Sequence, residues 1–248
     1  MKKIMVLLIV LALMIPAVPV LAQEGNGITI GETVTGDITN EAPEVVYTFE
    51  GEAGQGIAAI AELPFMMKAF MRIDGIDKPA MAFSVNVRLK VGIFAILPET
   101  GVYTLVLGRL PDDDKVGPFQ LQLQAAPVMT VGTPVEGQTT LEENQDYVRA
   151  SDFALFAPAE DGNFTLSYSA KSDDPVVFLH MIDSSRAFAD SVWMFETGRA
   201  FFKEAGLSGT ANFPMKAGTI YIFMVGSNWL MPDGFKGVSY SLQIDPVE

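Results

Sequence analysis

The chain has 248 residues, no cysteine and one histidine, so it holds no disulfide, and Ser–His–Asp or Cys–His chemistry would rest on a single imidazole. Its 30 acidic and 16 basic side chains give a net charge of −14, which opposes binding to nucleic acid phosphates or anionic lipid.

The N-terminal segment 1–22 reads as a secretory signal. Lys2 and Lys3 precede an unbroken apolar run from Ile4 to Ile15; Pro16 and Pro19 end it, and Val20-Leu21-Ala22 offers small residues for cleavage. The run is shorter than the roughly 20 residues a bilayer helix needs, with an uncleaved N-terminal anchor as the alternative to cleavage, and no cysteine follows it to accept a lipid. Loss of Lys2 and Lys3 leaves 14 basic against 30 acidic side chains, a net charge of −16. The expected location is therefore outside the cytoplasm, with charge keeping the chain soluble.

The remaining sequence repeats itself. Ile28 to Gly36 and Met129 to Gly137 each carry two glycines five apart, Gly31/Gly36 and Gly132/Gly137. Val45-Val46-Tyr47-Thr48-Phe49 with Glu52-Ala53-Gly54 is answered by Phe153-Ala154-Leu155-Phe156 with Glu160-Asp161-Gly162. Phe70 to Asp74 is answered by Leu179 to Asp183, Leu97 to Tyr103 by Phe213 to Tyr221, and Gly117 to Leu123 by Gly237 to Ile244. Five blocks in one order predict two tandem β-sandwich domains, 26–126 and 128–248, joined near Ala125-Ala126-Pro127.

Within these blocks Ser84 to Val91 alternates polar and apolar residues, the mark of a half-buried strand. Thr104-Leu105-Val106-Leu107 and Ile220 to Val225 are continuous apolar runs that suit strands covered on both faces. Glycine and proline punctuate the chain every 8 to 15 residues, as sandwiches require. The second half adds one feature. Phe188, Val192, Phe195 and Phe202 lie at helical spacing between Arg186 and Ala205, with Gly206 placed to stop a helix, so a short helical insertion is expected there, with a strand and loop as the alternative.

Candidate chemistry is sparse. His180 sits in the apolar strand Phe178 to Ile182 with no Gly-x-Ser-x-Gly elbow, and reads as a packed or edge histidine. Asp112-Asp113-Asp114 and Asp173-Asp174 lie in loops and could each give calcium two or three oxygens, or simply form solvated acidic turns. Leu63 to Met71 and Val192 to Phe202 are rich in methionine and aromatics. They suit a core or domain contact, or else a partner-facing patch, with Phe65, Met66, Met67, Trp193 and Phe195 as its residues. Asn163-Phe164-Thr165 is an N-glycosylation triplet.

In order, these blocks resemble the bacterial pre-peptidase C-terminal domain, twice over. The resemblance rests on Gly31/Gly36 and Gly132/Gly137, on Tyr47-x-Phe49 with Ala53-Gly54, on an apolar strand ending in aspartate, and on Leu97-Pro98-x-x-Gly101-x-Tyr103. The second copy departs where Ala154 replaces the tyrosine and an extra residue separates Gly218 from Tyr221. The resemblance implies a jelly-roll-like sandwich without a catalytic role, in a family that sits beside secreted peptidases and includes calcium- and fibre-binding members. The acidic positions of those members are not matched, so no metal ligand is carried over. The expectation is a secreted, non-catalytic accessory module that needs no cofactor and contacts extracellular protein or polysaccharide. An envelope protein held by apolar patches and a carboxylate-dependent hydrolase are the alternatives.

Overall fold

The computed structural model describes residues 26–64, 67–76, 80–85, 89–143, 148–171, 177–183, 199–201, 208–227 and 237–247. Every regular element among them is a strand. The first nine are β1 (Asn26–Gly27), β2 (Thr33–Ile38), β3 (Glu44–Gly51), β4 (Gly56–Leu63), β5 (Ala69–Asp74), β6 (Ala80–Val85), β7 (Leu89–Ile96), β8 (Gly101–Arg109) and β9 (Gly117–Ala125). They form two sheets, β1-β3-β8-β5 and β2-β9-β4-β7-β6. The next nine are β10 (Val135–Gln138), β11 (Thr140–Glu143), β12 (Val148–Phe156), β13 (Gly162–Lys171), β14 (Val177–Asp183), β15 (Arg199–Phe201), β16 (Ser208–Met215), β17 (Tyr221–Ser227) and β18 (Ser239–Pro246). Their sheets are β11-β12-β17-β14-β15 and β10-β18-β13-β16.

The two strand orders coincide. The run β3-β8-β5 is reproduced by β12-β17-β14, and β2-β9-β4-β7 by β10-β18-β13-β16. Local chemistry repeats with them. Gly31 and Gly132 adopt φ of +100° and +75°, which glycine tolerates at a turn. Their N–H groups donate to Leu123 O at 2.7 Å and Ile244 O at 3.0 Å, at matching points of the closing strand. Gly36 and Gly137 lie directly across from Phe119 and Tyr240. A side chain on Gly36 would place its Cβ 2.7 Å from Phe119 Cζ, so the aromatic ring takes the space the glycine leaves. Before the next strand of each half, Tyr103 OH donates to Glu99 O at 2.6 Å, and Tyr221 OH accepts from Lys216 N at 2.8 Å. The extra residue of the second turn is absorbed in this longer tyrosine contact.

Alternation sorts each sheet into an inner apolar face and an outer one. One core gathers Ile38, Phe49, Ile57, Ile93, Leu105, Phe119 and their neighbours, and a second gathers Phe156, Leu166, Phe213, Phe223, Leu242 and theirs. Volume is exchanged between paired positions. Tyr47 faces Leu105 in the first core, whereas Ala154 faces Phe223 in the second. Ala59 faces Ile93 in the first, and Leu166 faces Ala211 in the second. The tyrosine missing at Ala154 is thus compensated by the phenylalanine opposite it.

A third apolar cluster joins the sandwiches. Ala58 and Phe94, on the outer face of β4 and β7, pack with Leu155, Ile220 and Ile222, on or just before the outer face of β12 and β17, with Ala126 between. The rings of Phe94 and Phe153 meet at 5.0 Å, tilted by 58°. The linker is stitched to both bodies: Ala126 N donates to Gly56 O, Leu155 N to Pro127 O and Met129 N to Leu155 O, at 2.7 to 2.9 Å. Each large side chain buried here contributes about 1.5–3 kcal/mol. The apolar run Ile220 to Val225 is covered on both faces because of this contact.

Two expectations are corrected. Ser84 to Val91 is a hairpin rather than one strand: Val85 pairs directly with Leu89, and residues 86–88 lie outside the described set. Antiparallel neighbours keep the same inward phase through a short turn, so period-two alternation does not reveal it. The helix expected over Arg186 to Ala205 is contradicted at Arg199–Phe201, which pairs with Leu179–Met181 as an edge strand. Phe201 aligns with Leu179 there, so pairing with the edge of the sheet overrides the helical spacing of the apolar residues. The rest of that segment, 184–198 and 202–207, lies outside the described residues.

Candidate functional site

The acidic loop after β8 is tied down by its own hydrogen bonds. Asp113 is 9 % exposed. One of its carboxylate oxygens accepts from Lys68 N, and the other from Lys115 N at 3.1 Å. Burial pushes its pKa up, but the two backbone N–H groups outweigh burial and hold it below the usual 3.8. Asp112 is solvent-exposed and pairs with Lys68 Nζ at 2.7 Å. That hydrogen bond lowers the Asp112 pKa and raises that of Lys68. Asp114 is exposed. These bonds clip the loop to the segment before β5, and both oxygens of Asp113 are already engaged. Among the described residues no three His, Asp or Glu side chains converge as metal ligands would. Asp173 and Asp174 lie outside the described residues.

Of the five partner-patch candidates, the described residues include only Met67, and it is 1 % exposed in the first core. Its thioether lies in that core rather than facing solvent. Phe65, Met66, Trp193 and Phe195 lie outside the described residues. His180 is placed on the central part of β14, between Met224 on one neighbour and Ala200 on the other.

Among the described residues, every buried side-chain nitrogen or oxygen has a hydrogen-bond partner. Tyr240 illustrates this: its hydroxyl donates to Asp152 Oδ2 at 2.7 Å. Burial, reinforced by that carboxylate, raises its pKa far above the usual 10.

Sequence reasoning missed the outer face of the sheet β10-β18-β13-β16. Thr165 and Ser167 of β13, Thr210 and Asn212 of β16, and Ser241 and Gln243 of β18 lie side by side in register. Thr165 Oγ1 donates to Asn212 Oδ1 at 2.8 Å. Among the described residues, the charged side chains at outward positions of this sheet are Glu136, Lys171 and Asp245. The signal was present as hydroxyl and amide residues at every second position of Asn163 to Ser169 and Ser239 to Gln243. The opposite end, the outer face of β3-β8-β5, is charged instead: Arg72 lies 3.6 Å from Glu44, 3.2 Å from Asp74 and above the Phe70 ring.

No helix among the described residues is long and apolar enough to cross a membrane. No protein-family model and no curated relative matches the sequence. Solved structures are similar at low identity. A cycloalternan-forming enzyme from Listeria monocytogenes, determined with a pentasaccharide substrate, is 9% identical over 87% of this chain, with a TM-score of 0.28. The chain spans only 19% of that enzyme's length. A protein from Eubacterium rectale described as secreted is 10% identical over 87% of this chain and 74% of its own, with a TM-score of 0.27. The pre-peptidase C-terminal domain of a collagenase from Bacillus anthracis is similar to 41% of this chain, across 95% of that domain, at 18% identity and a TM-score of 0.34.

Proposed function

We propose that the chain is an exported, non-catalytic accessory module, two sandwiches of pre-peptidase C-terminal type that act by presenting a sheet face to an extracellular protein or polysaccharide. The observation that carries this reading is the outer face of β10-β18-β13-β16. It is a broad face of hydroxyl and amide groups, with Glu136, Lys171 and Asp245 as its charged side chains among the described residues, on a chain with a net charge of −14. Such groups hydrogen-bond neutral polar partners without stripping ions of water. The module is expected to act without a cofactor, the Asp113 clip serving the loop in place of calcium.

The test compares wild type with a Ser167→Glu, Thr210→Glu, Ser241→Glu variant, all three at outward positions. Retention on polysaccharide and extracellular-matrix columns is expected for wild type and lost in the variant. Equal retention of both proteins overturns the assignment to this face. Turnover of generic peptidase or glycosidase substrates overturns the non-catalytic reading. A melting temperature that differs between millimolar calcium and chelator overturns the absence of a cofactor.

A further inference from the structure

We propose that Asn163 is an N-glycan acceptor, carrying a saccharide at the Gly162 end of β13, at the rim of the hydroxyl-rich outer face of the second sandwich. The proposal rests on the export reading above. Asn163-Phe164-Thr165 is the single Asn-x-Ser/Thr triplet of the chain. Such triplets arise by chance, so its placement decides. Asn163 is exposed, the second residue of β13 after Gly162. Period-two alternation sends Asn163 and Thr165 to the same outer face, while Phe164 between them is buried in the core. Across the strands Asn163 faces Pro214, and Thr165 faces Asn212 on one side and Asp245 on the other, so the acceptor itself has an uncharged cross-strand neighbour. The face points away from the first sandwich, which packs on the other sheet of this domain, so an attached saccharide obstructs neither core nor domain contact.

The chemistry is a transfer from a lipid pyrophosphate-linked oligosaccharide, supplied on the far side of the export membrane. Asn163 Nδ2 forms a bond to sugar C1. The bond from C1 to the pyrophosphate oxygen breaks, the lipid pyrophosphate leaves with the electron pair, and the amide proton passes to a base of the transferase. In the folded chain Thr165 Oγ1 is committed to Asn212 Oδ1 and β13 is paired on both sides. Transfer therefore precedes pairing of β13, while the exported chain is still extended.

The test is mass spectrometry of the full chain purified from the envelope and culture fluid of the organism that produces it. The peptide containing Asn163 is expected to carry a saccharide increment. The increment is lost in Asn163→Gln and Thr165→Ala, and kept in Thr165→Ser and in the neighbouring control Asn212→Ala. A mature chain that begins at Gln23 and carries unmodified Asn163 overturns the glycan while leaving export intact. An intact N-terminus with the chain retained in the cytoplasm overturns both. An increment that survives Asn163→Gln places the sugar elsewhere and overturns the assignment.

Discussion

The outer faces of the two sandwiches differ at positions that the strand registers make equivalent. Ala58 faces Phe94 across β4 and β7, and the same place in β13 and β16 is held by Thr165 facing Asn212. On the other sheet the relation reverses: Thr48 faces Thr104 across β3 and β8, and Leu155 faces Ile222 across β12 and β17. The first sandwich is apolar outside on one sheet and the second on the opposite one, and those two faces are the ones that meet. Strand order is insensitive to outward residues, which decide only what a finished sheet touches. The same topology thus yields a buried contact at one position and a wet hydroxyl surface at its counterpart.

Placing the first sandwich's residues in the second is the strongest way to break this relation. Leu155→Thr with Ile222→Thr removes apolar volume and buries two hydroxyls in the domain contact. Denaturant unfolding should show a loss of about 4 kcal/mol and a transition that splits in two. An unchanged single transition would show that the contact does not couple the sandwiches.

Single truncations at equivalent sites sharpen the comparison. Phe94→Ala deletes a ring that is 1 % exposed, and should cost about 3 kcal/mol. Asn212→Ala, at the same register position on the open face, should cost no more than about 0.5 kcal/mol. Similar midpoint shifts for both would erase the distinction between covered and uncovered faces.

The exchange of volume inside the cores is tested next. Ala154→Tyr overfills the second core and should cost about 2 kcal/mol, while adding Phe223→Leu restores the Tyr47–Leu105 pairing of the first core and recovers most of that loss. Additive losses in the double-mutant cycle would deny the compensation.

A smaller effect than those in the cores belongs to the Asp113 clip, which the second sandwich shows no counterpart of among the described residues. Folding holds the Asp113 pKa below its ordinary 3.8, so the folded state favours the carboxylate. Its contribution is fully present above about pH 4 and is lost as pH falls through the lowered value. Asp113→Asn should cost about 1 kcal/mol at neutral pH, with the difference from wild type shrinking in acid. A difference constant from pH 7 to pH 2 would remove the carboxylate's role.

Much of the fold was legible because alternation and turn glycines are local signals. The ordered blocks from Gly31/Gly36 to Gly237–Ile244 correspond to matching strands, and the apolar run Ile220 to Val225 did announce a strand covered twice. The hairpin at Val85 and Leu89 was hidden because both strands keep one phase. At Arg199–Phe201 helical spacing lost to an available sheet edge. The site was less legible. Asp113 looks like a ligand in sequence, and only the fold brings Lys68 N to it from 45 residues away. Met67 looks like part of a sticky patch until its strand neighbours enclose it.

The front-to-back contact between the sandwiches has a consequence for assembly. A contact made by two unlike faces does not close on itself, and if every unit carried both faces it would propagate into an open filament. Here each unit keeps one adhesive face and has surrendered the other, to Arg72 with its acidic neighbours at one end and to Thr165 and Asn212 at the other. Growth by this contact therefore stops after a single link, much as the terminal units of a solenoid are capped.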